Sequence, residues 1–160
     1  PNVASLSVLS EDTAAFFVKA PDNNMLQFVL AKKSILVEGD AEFILMDSLY
    51  KRTVAKELCA SGIGVISVDG KCFKRYLEIA ALIQNQVAVI TDNDGDYEEN
   101  IKNNYREYTD GQYPNIRIFA DRDNNRRTFE VCMYEDNKVT CEAEFSTPRR
   151  RLDIRIYAQK

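Results

Sequence analysis

Histidine is missing: among the 160 residues of this chain there is not one. Its absence removes the Ser-His-Asp triad, the Cys-His pair, the histidine general base and every zinc site that needs an imidazole. Any chemistry falls to carboxylates, lysines, hydroxyls or thiols. C-x-x-C pairs are missing as well. Cys59, Cys72, Cys132 and Cys141 are separated by 13, 60 and 9 positions, so they read as small buried hydrophobes in a reducing cytosol. No apolar run reaches the length of a membrane span, and no charged, apolar, small-residue series opens the chain. A soluble, cytoplasmic protein is expected, with no membrane partner. A basic surplus is also lacking, since the formal net charge of −4 argues against a generally basic nucleic-acid binder.

What is present suffices for one ordinary core, with 45% hydrophobic residues. The chain starts on proline and stops in mid-pattern at IYAQK, which reads as a piece of a longer protein. Charge is unevenly spread. Residues 1–100 hold 9 basic and 15 acidic side chains, a net of −6, whereas residues 101–160 hold 12 and 10, a net of +2. The basic share gathers in Arg149, Arg150, Arg151 and in the pair Arg126, Arg127. Such arginines form either a solvated face or a set of phosphate contacts.

Periodicity divides the chain into three stretches. Residues 5–20 read as two short strands about a Glu11-Asp12 turn, closed by Pro21-Asp22-Asn23-Asn24, and MLQFVLAKK as a short apolar helix or connector. From Ser34 the pattern alternates: a strand over 34–38, then a helix from about 40 to 59 with Ile44, Leu45, Leu49 and Leu58 among its apolar positions, ended by Gly62 and Gly64. VISV at 65–68, a helix near 72–84, QVAVIT at 86–91, a polar helix near 96–108 and IRIFA at 116–120 follow. Such alternation of strand and helix is the pattern of a parallel sheet with helical crossovers. Beyond residue 126, TFEVCMY, VTCEAEF and LDIRIYA read as strands. The expected class is α/β, a mainly parallel central sheet flanked by helices, with additional strands at both chain ends.

That arrangement gives the acids a place. In an open parallel sheet, the carboxyl ends of neighbouring strands face one ligand-binding crevice. Glu38 ends the first strand, Asp69 follows the second, and Asp92, Asp94 and Asp96 follow the third, with Glu42 on the first helical turn after Gly39. Carboxylates gathered there repel one another, and a divalent cation relieves the repulsion. Oxygen-only ligation points to Mg²⁺ or Mn²⁺. Spacing excludes an EF-hand around Asp92, and Gly64-VISVD-Gly70-Lys71 fails as a phosphate loop, having five intervening residues and a strand inside it.

L-V-E-G-x-x-E at 36–42 followed by T-D-x-D at 91–94 resembles the Toprim domain of type IA and II topoisomerases, bacterial-type primases and several nucleases. LAKK at 30–33, VDGK at 68–71 and TFE at 128–130 sharpen the resemblance to the OLD-family (overcoming lysogenization defect) ATP-dependent endonucleases, over roughly residues 28–135. The resemblance implies a two-metal nuclease acting on DNA, in which Glu38, Glu42, Asp92, Asp94 and Glu130 hold two Mg²⁺ or Mn²⁺ ions, Asp96 and Asp69 fit less surely, and Gly39 allows the close turn that aims Glu38. It further implies an ATPase domain in the full-length protein, the route by which ATP would enter, a homo-oligomer when intact, and a role in phage defence. Residues 1–27 would be a lead-in hairpin or the end of that ATPase, 28–135 the Toprim domain and 136–160 a strand-rich extension. This chain carries no Walker motif, and its counterpart of the family's late active-site lysine cannot be placed. A topoisomerase or primase Toprim, a non-catalytic interaction module and a receiver-like domain are the alternatives. The first two want a nucleophilic tyrosine domain or template elements that are missing, the third has no use for the acids, and the last wants paired acids after its first strand.

Overall fold

Leu36, the second residue of ILVEG, has no exposed surface, and neither has Val37 on the opposite side of the strand. A strand buried on both faces belongs inside a covered parallel sheet, and that is where the computed structural model places it. The structure describes residues 5–19, 23–68 and 72–158. They form two compact units, Pro1–Thr91 with Tyr105–Phe119, and Asp92–Asn104 with Ala120–Lys160.

The first unit is built on four parallel strands, β1 (Lys33–Val37), β2 (Ile63–Ser67), β3 (Gln86–Ile90) and β4 (Ile116–Phe119), in the order β2-β1-β3-β4. Before and between them run α1 (Glu11–Lys19), α2 (Asn23–Leu30), α3 (Asp40–Val54), α4 (Phe73–Ile83) and α5 (Arg106–Thr109). In register, Leu36 stands beside Ile66 on one neighbour and Val89 on the other, and the three make a dry layer across the sheet. On that scale of burial each such side chain contributes about 1.5–3 kcal/mol. α4 packs on β3 and β4, bringing Tyr76 between Phe17 of α1 and Phe28 of α2, with ring centroids 5.3 and 5.1 Å away. Across the sheet, α3 lies on β1 and β2, where Val37, Met46 and Leu58 make a small core with Tyr50, Ile63 and Val65. The mixed α/β class and the parallel central sheet expected from the alternation are therefore present.

Several local expectations are overturned. Residues 5–20 are not a hairpin: a 3₁₀ turn at Leu6–Val8 leads into α1. The Glu11-Asp12 pair is the first turn of that helix, where negative charge suits the dipole, and Ser10 Oγ accepts from Thr13 N–H at 3.3 Å. α3 stops at Val54, earlier than expected, and presents Met46 and not Ile44 to the core; Ile44 is 71% exposed. Apolar and polar residues are interspersed around the helix, so spacing alone does not select a face. Gly64 lies inside β2, where a Cβ would come within 3.3 Å of Gln27 of α2. None of the four free cysteines is fully buried, and Cys59 is exposed.

The second unit holds a π-helical turn at Glu98–Asn103 and the helices α6 (Phe129–Asp136), α7 (Lys138–Phe145) and α8 (Leu152–Tyr157). The polar helix expected over 96–108 is thus two short pieces with a break between them. The three terminal strands are all helices, so the strand-rich extension expected over 136–160 is wrong. Thr128 caps α6 by accepting from Val131 N–H at 3.4 Å, and Val131 and Tyr134, three positions apart, carry the burial that the alternation of TFEVCMY disguised. No strand was needed to satisfy that backbone. Among the described residues, no helix is long and apolar enough to cross a membrane.

Candidate metal centre

In the first unit the site begins at the carboxyl end of β1. Val37 pairs with Ile90 of β3, and one residue beyond each lie Glu38 and Thr91. Thr91 Oγ1 donates to Glu38 Oε2 at 2.8 Å while Thr91 N–H continues the sheet by donating to Phe119 O at 3.1 Å. A hydroxyl fixed by the backbone ladder thus orients the strand-tip carboxylate. Tyr105, only 5% exposed, has its phenol pushed up to about 12, chiefly by burial and then by the charge on Glu38. It stays a neutral phenol beside that charge.

Gly39 begins α3, and Phe43 N–H donates to its carbonyl at 3.2 Å. Its φ of −132° and ψ of 177° are extended angles open to any residue, so the close turn expected there is not what requires glycine. Space requires it. Glu42, at the third helical position, from which a carboxylate folds back over the helix start, is buried, and a Cβ on residue 39 would stand 3.1 Å from its Oε2. Glu38 and Glu42 are thereby set on the two sides of one helix start. Asp69, with Gly70 and Lys71 of the VDGK turn, lies outside the described residues.

In the second unit Asp92, Asp94 and Asp96 share one loop, and its hub is a residue that the acidic pattern passed over. Asn93 is 1% exposed; its Oδ1 accepts from Gly95 N–H at 2.7 Å, and its Nδ2 donates to the carbonyls of Asp121 and Asp123 at 2.9 and 3.0 Å. A short polar side chain in an Asx turn closes the loop locally while its amide ties down a second loop. Asp94 takes φ +50°, and its N–H donates to Arg127 O at 3.1 Å, which joins the acidic loop to the segment leading into α6. Gly95 follows at φ +84°, where a β-carbon is disfavoured. Asp96 is exposed and caps the next turn, its Oδ1 accepting from Glu99 N–H at 3.1 Å. Glu130 sits in the first turn of α6.

The arginine pair beside this loop is committed internally. Arg126 Nε donates to Asp121 Oδ2 at 2.6 Å and its two terminal nitrogens clasp Asp136 at 2.8 and 3.0 Å, while Arg127 donates to Tyr157 O at 2.6 Å. Both guanidinium groups thus have partners within the chain. Asp123 N–H and then Arg126 hold the Asp121 carboxyl below its ordinary value. Burial raises the Cys132 thiol above its ordinary value, with the Arg126 charge opposing.

Residues 29–94 match the family model for the overcoming lysogenization defect protein-like TOPRIM domain. Over that stretch the chain is similar to an OLD-like Toprim domain. No curated protein and no solved structure matches the chain significantly. The matched Toprim stretch contains β1, β2, β3 and their crossovers, together with Glu38, Glu42, Asp92 and Asp94, and ends before β4 and α6. Toprim domains generally bind divalent metals. The donors in the matched stretch suit a hard cation: a strand-tip carboxylate held by a hydroxyl, and a buried carboxylate folded over a glycine that leaves it room. Within either unit, among the described residues, no three acidic or thiol groups are gathered closely enough to hold an ion by themselves.

Proposed function

We propose that this chain is the nuclease module of an OLD-like ATP-dependent endonuclease, hydrolysing DNA phosphodiester bonds. The observation that carries the reading is Glu38, delivered by a strand whose Leu36 and Val37 are fully buried, within the stretch similar to an OLD-like Toprim domain, and oriented by Thr91. Glu38, Glu42, Asp92, Asp94 and Glu130 would hold two Mg²⁺ or Mn²⁺ ions, with Asp96 and Asp69 as outer members. Those ions, when bound, supply the positive charge that activates a water and neutralises the phosphate. Glu38 contributes a rigid negative ligand at a strand end, the stiffest place from which to aim one. Thr91 restrains the plane of that carboxylate. Tyr105, held neutral, lends apolar bulk and a hydroxyl beside it without adding charge. ATP would act only through an ATPase domain of a longer protein, which with DNA is the partner proposed. The setting proposed is the cytoplasm, the assembly a homo-oligomer and the role phage defence.

The test is nicking of supercoiled plasmid with Mn²⁺, with Mg²⁺ and with chelator, beside Glu38→Ala and Asp92→Ala. Metal-dependent nicking lost in both variants is expected, together with weakened Mn²⁺ binding by calorimetry and a fold kept in metal-free buffer, since each change removes a repelling charge. Unchanged ion affinity in both variants would sink the metal-site reading.

A further inference from the structure

Away from the acids, one hollow of about 650 Å³ is lined by Pro148, Arg149, Arg150, Arg151, Ile154 and Arg155. Four of six lining residues are arginines in a chain whose formal net charge is −4. The hollow has a fixed frame. Thr147 and Arg150 exchange backbone hydrogen bonds of 3.1 and 2.9 Å across a tight turn with Pro148 at its second position, and Arg150 N–H also reaches Thr147 Oγ1 at 3.1 Å. Ser146 Oγ accepts from Leu152 N–H at 3.3 Å and so pins the entry to α8. Arg151 is paired with Asp153. Arg149, Arg150 and Arg155 are exposed and, among the described residues, have no carboxylate within ion-pair distance.

Like charges held together on a rigid turn repel one another, and a polyanion relieves that repulsion. Guanidinium groups match phosphate oxygens in fork geometry, and duplex DNA offers about one negative charge per 1.7 Å of axis. The hollow's apolar part is Pro148 and Ile154, with no aromatic ring on which an unpaired base could stack. We propose that this hollow docks the phosphate backbone of double-stranded DNA, independently of sequence. The choice of DNA over other polyanions rests on the nuclease reading. Binding through arginines does not require metal.

The experiment measures binding of a short labelled duplex to the chain by fluorescence anisotropy, in chelator, over about 50 to 200 mM salt. The variant combines Arg149→Ala, Arg150→Ala and Arg155→Ala, leaving Arg151 to its partner, and a circular dichroism melt checks its fold. A control removes three exposed charges of the first unit, Arg52→Ala, Lys56→Ala and Lys74→Ala. The expected result is an affinity loss on the order of 100-fold at low salt and a log–log salt slope flatter by about 2.7, three contacts at about 0.9 each, with the control close to the parent. The proposal is overturned if the parent does not bind duplex in chelator, if the control flattens the slope equally, or if phosphatidylserine vesicles and not duplex show the arginine dependence. Failure of the nuclease reading looks different: nicking that survives Asp92→Ala.

Discussion

Glu38 follows β1, where Leu36 and Val37 are completely buried, and its carboxylate accepts a hydrogen bond from Thr91, which continues the neighbouring strand. Asp94 stands in a loop at φ +50°, and what holds that loop is the buried amide of Asn93, bonded to three partners in two loops. The first acid is aimed by apolar packing spread over many side chains. The second depends on directional bonds gathered in one. Packing of the first kind degrades by degrees, because neighbours relax into a small void; a loop held by the hydrogen bonds of one side chain loses them together when that side chain is removed.

The largest test sets Leu36→Ala against Asn93→Ala. Leu36→Ala should lower stability by about 3 kcal/mol in urea, through lost burial and a cavity, with the amide exchange of the 92–96 loop little altered. Asn93→Ala takes the amide donor from Asp121 O, leaves Asp123 O to Arg126 N–H alone, removes the acceptor of Gly95 N–H, and should cost about 2 kcal/mol, with strongly accelerated exchange at Gly95. Equal loop exchange in the two variants would erase the distinction. A smaller test uses acid. The Asp121 carboxyl is held below its ordinary value in the folded chain, so its contribution is full above the unfolded value near about 3.9 and is lost as pH falls through the lower folded value. Asp121→Asn should therefore lose stability at neutral pH and flatten the acid limb of the stability profile. An acid limb as steep as the parent's would assign the effect to other carboxylates.

The same contrast explains how far the sequence could be read. Between residues 33 and 119 each strand is a short, mainly apolar run with at least one buried member, and a parallel sheet follows from runs of that kind joined by helices. Glu38, Asp92 and Asp94 could be placed at strand ends for that reason. At the chain ends, alternation in TFEVCMY and LDIRIYA suggested strands, yet a Thr128 cap and burial three residues apart made α6 a helix; period alone does not separate the two over so short a stretch. Asn93, Thr91 and Tyr105 were passed over because the pattern searched for was charge, while their work is orientation. The N in T-D-N-D is the signal for the first of them, since a turn asparagine often bonds the backbone two residues on. That Glu42 is buried while its apolar neighbour Ile44 is exposed had no signal in spacing at all.

Gly39→Ala gives the smallest and most informative change. Its extended angles suit alanine, so folding should shift by less than about 1 kcal/mol, the gain in helix-start stiffness set against a Cβ placed 3.1 Å from Glu42 Oε2. That contact is tighter than ordinary van der Waals separation, and the atom that must yield is a carboxylate oxygen already buried. If Glu42 is a metal ligand, Mn²⁺ affinity should fall severalfold with the melting temperature nearly unchanged, because a displacement of a few tenths of an ångström matters to coordination far more than to packing. Unaltered Mn²⁺ affinity with a lowered melting temperature would make Glu42 a helix-start residue that happens to lie beside the site. The glycine of L-V-E-G would then be explained by the first turn of α3, and Glu38 alone would represent the first unit among the ligands.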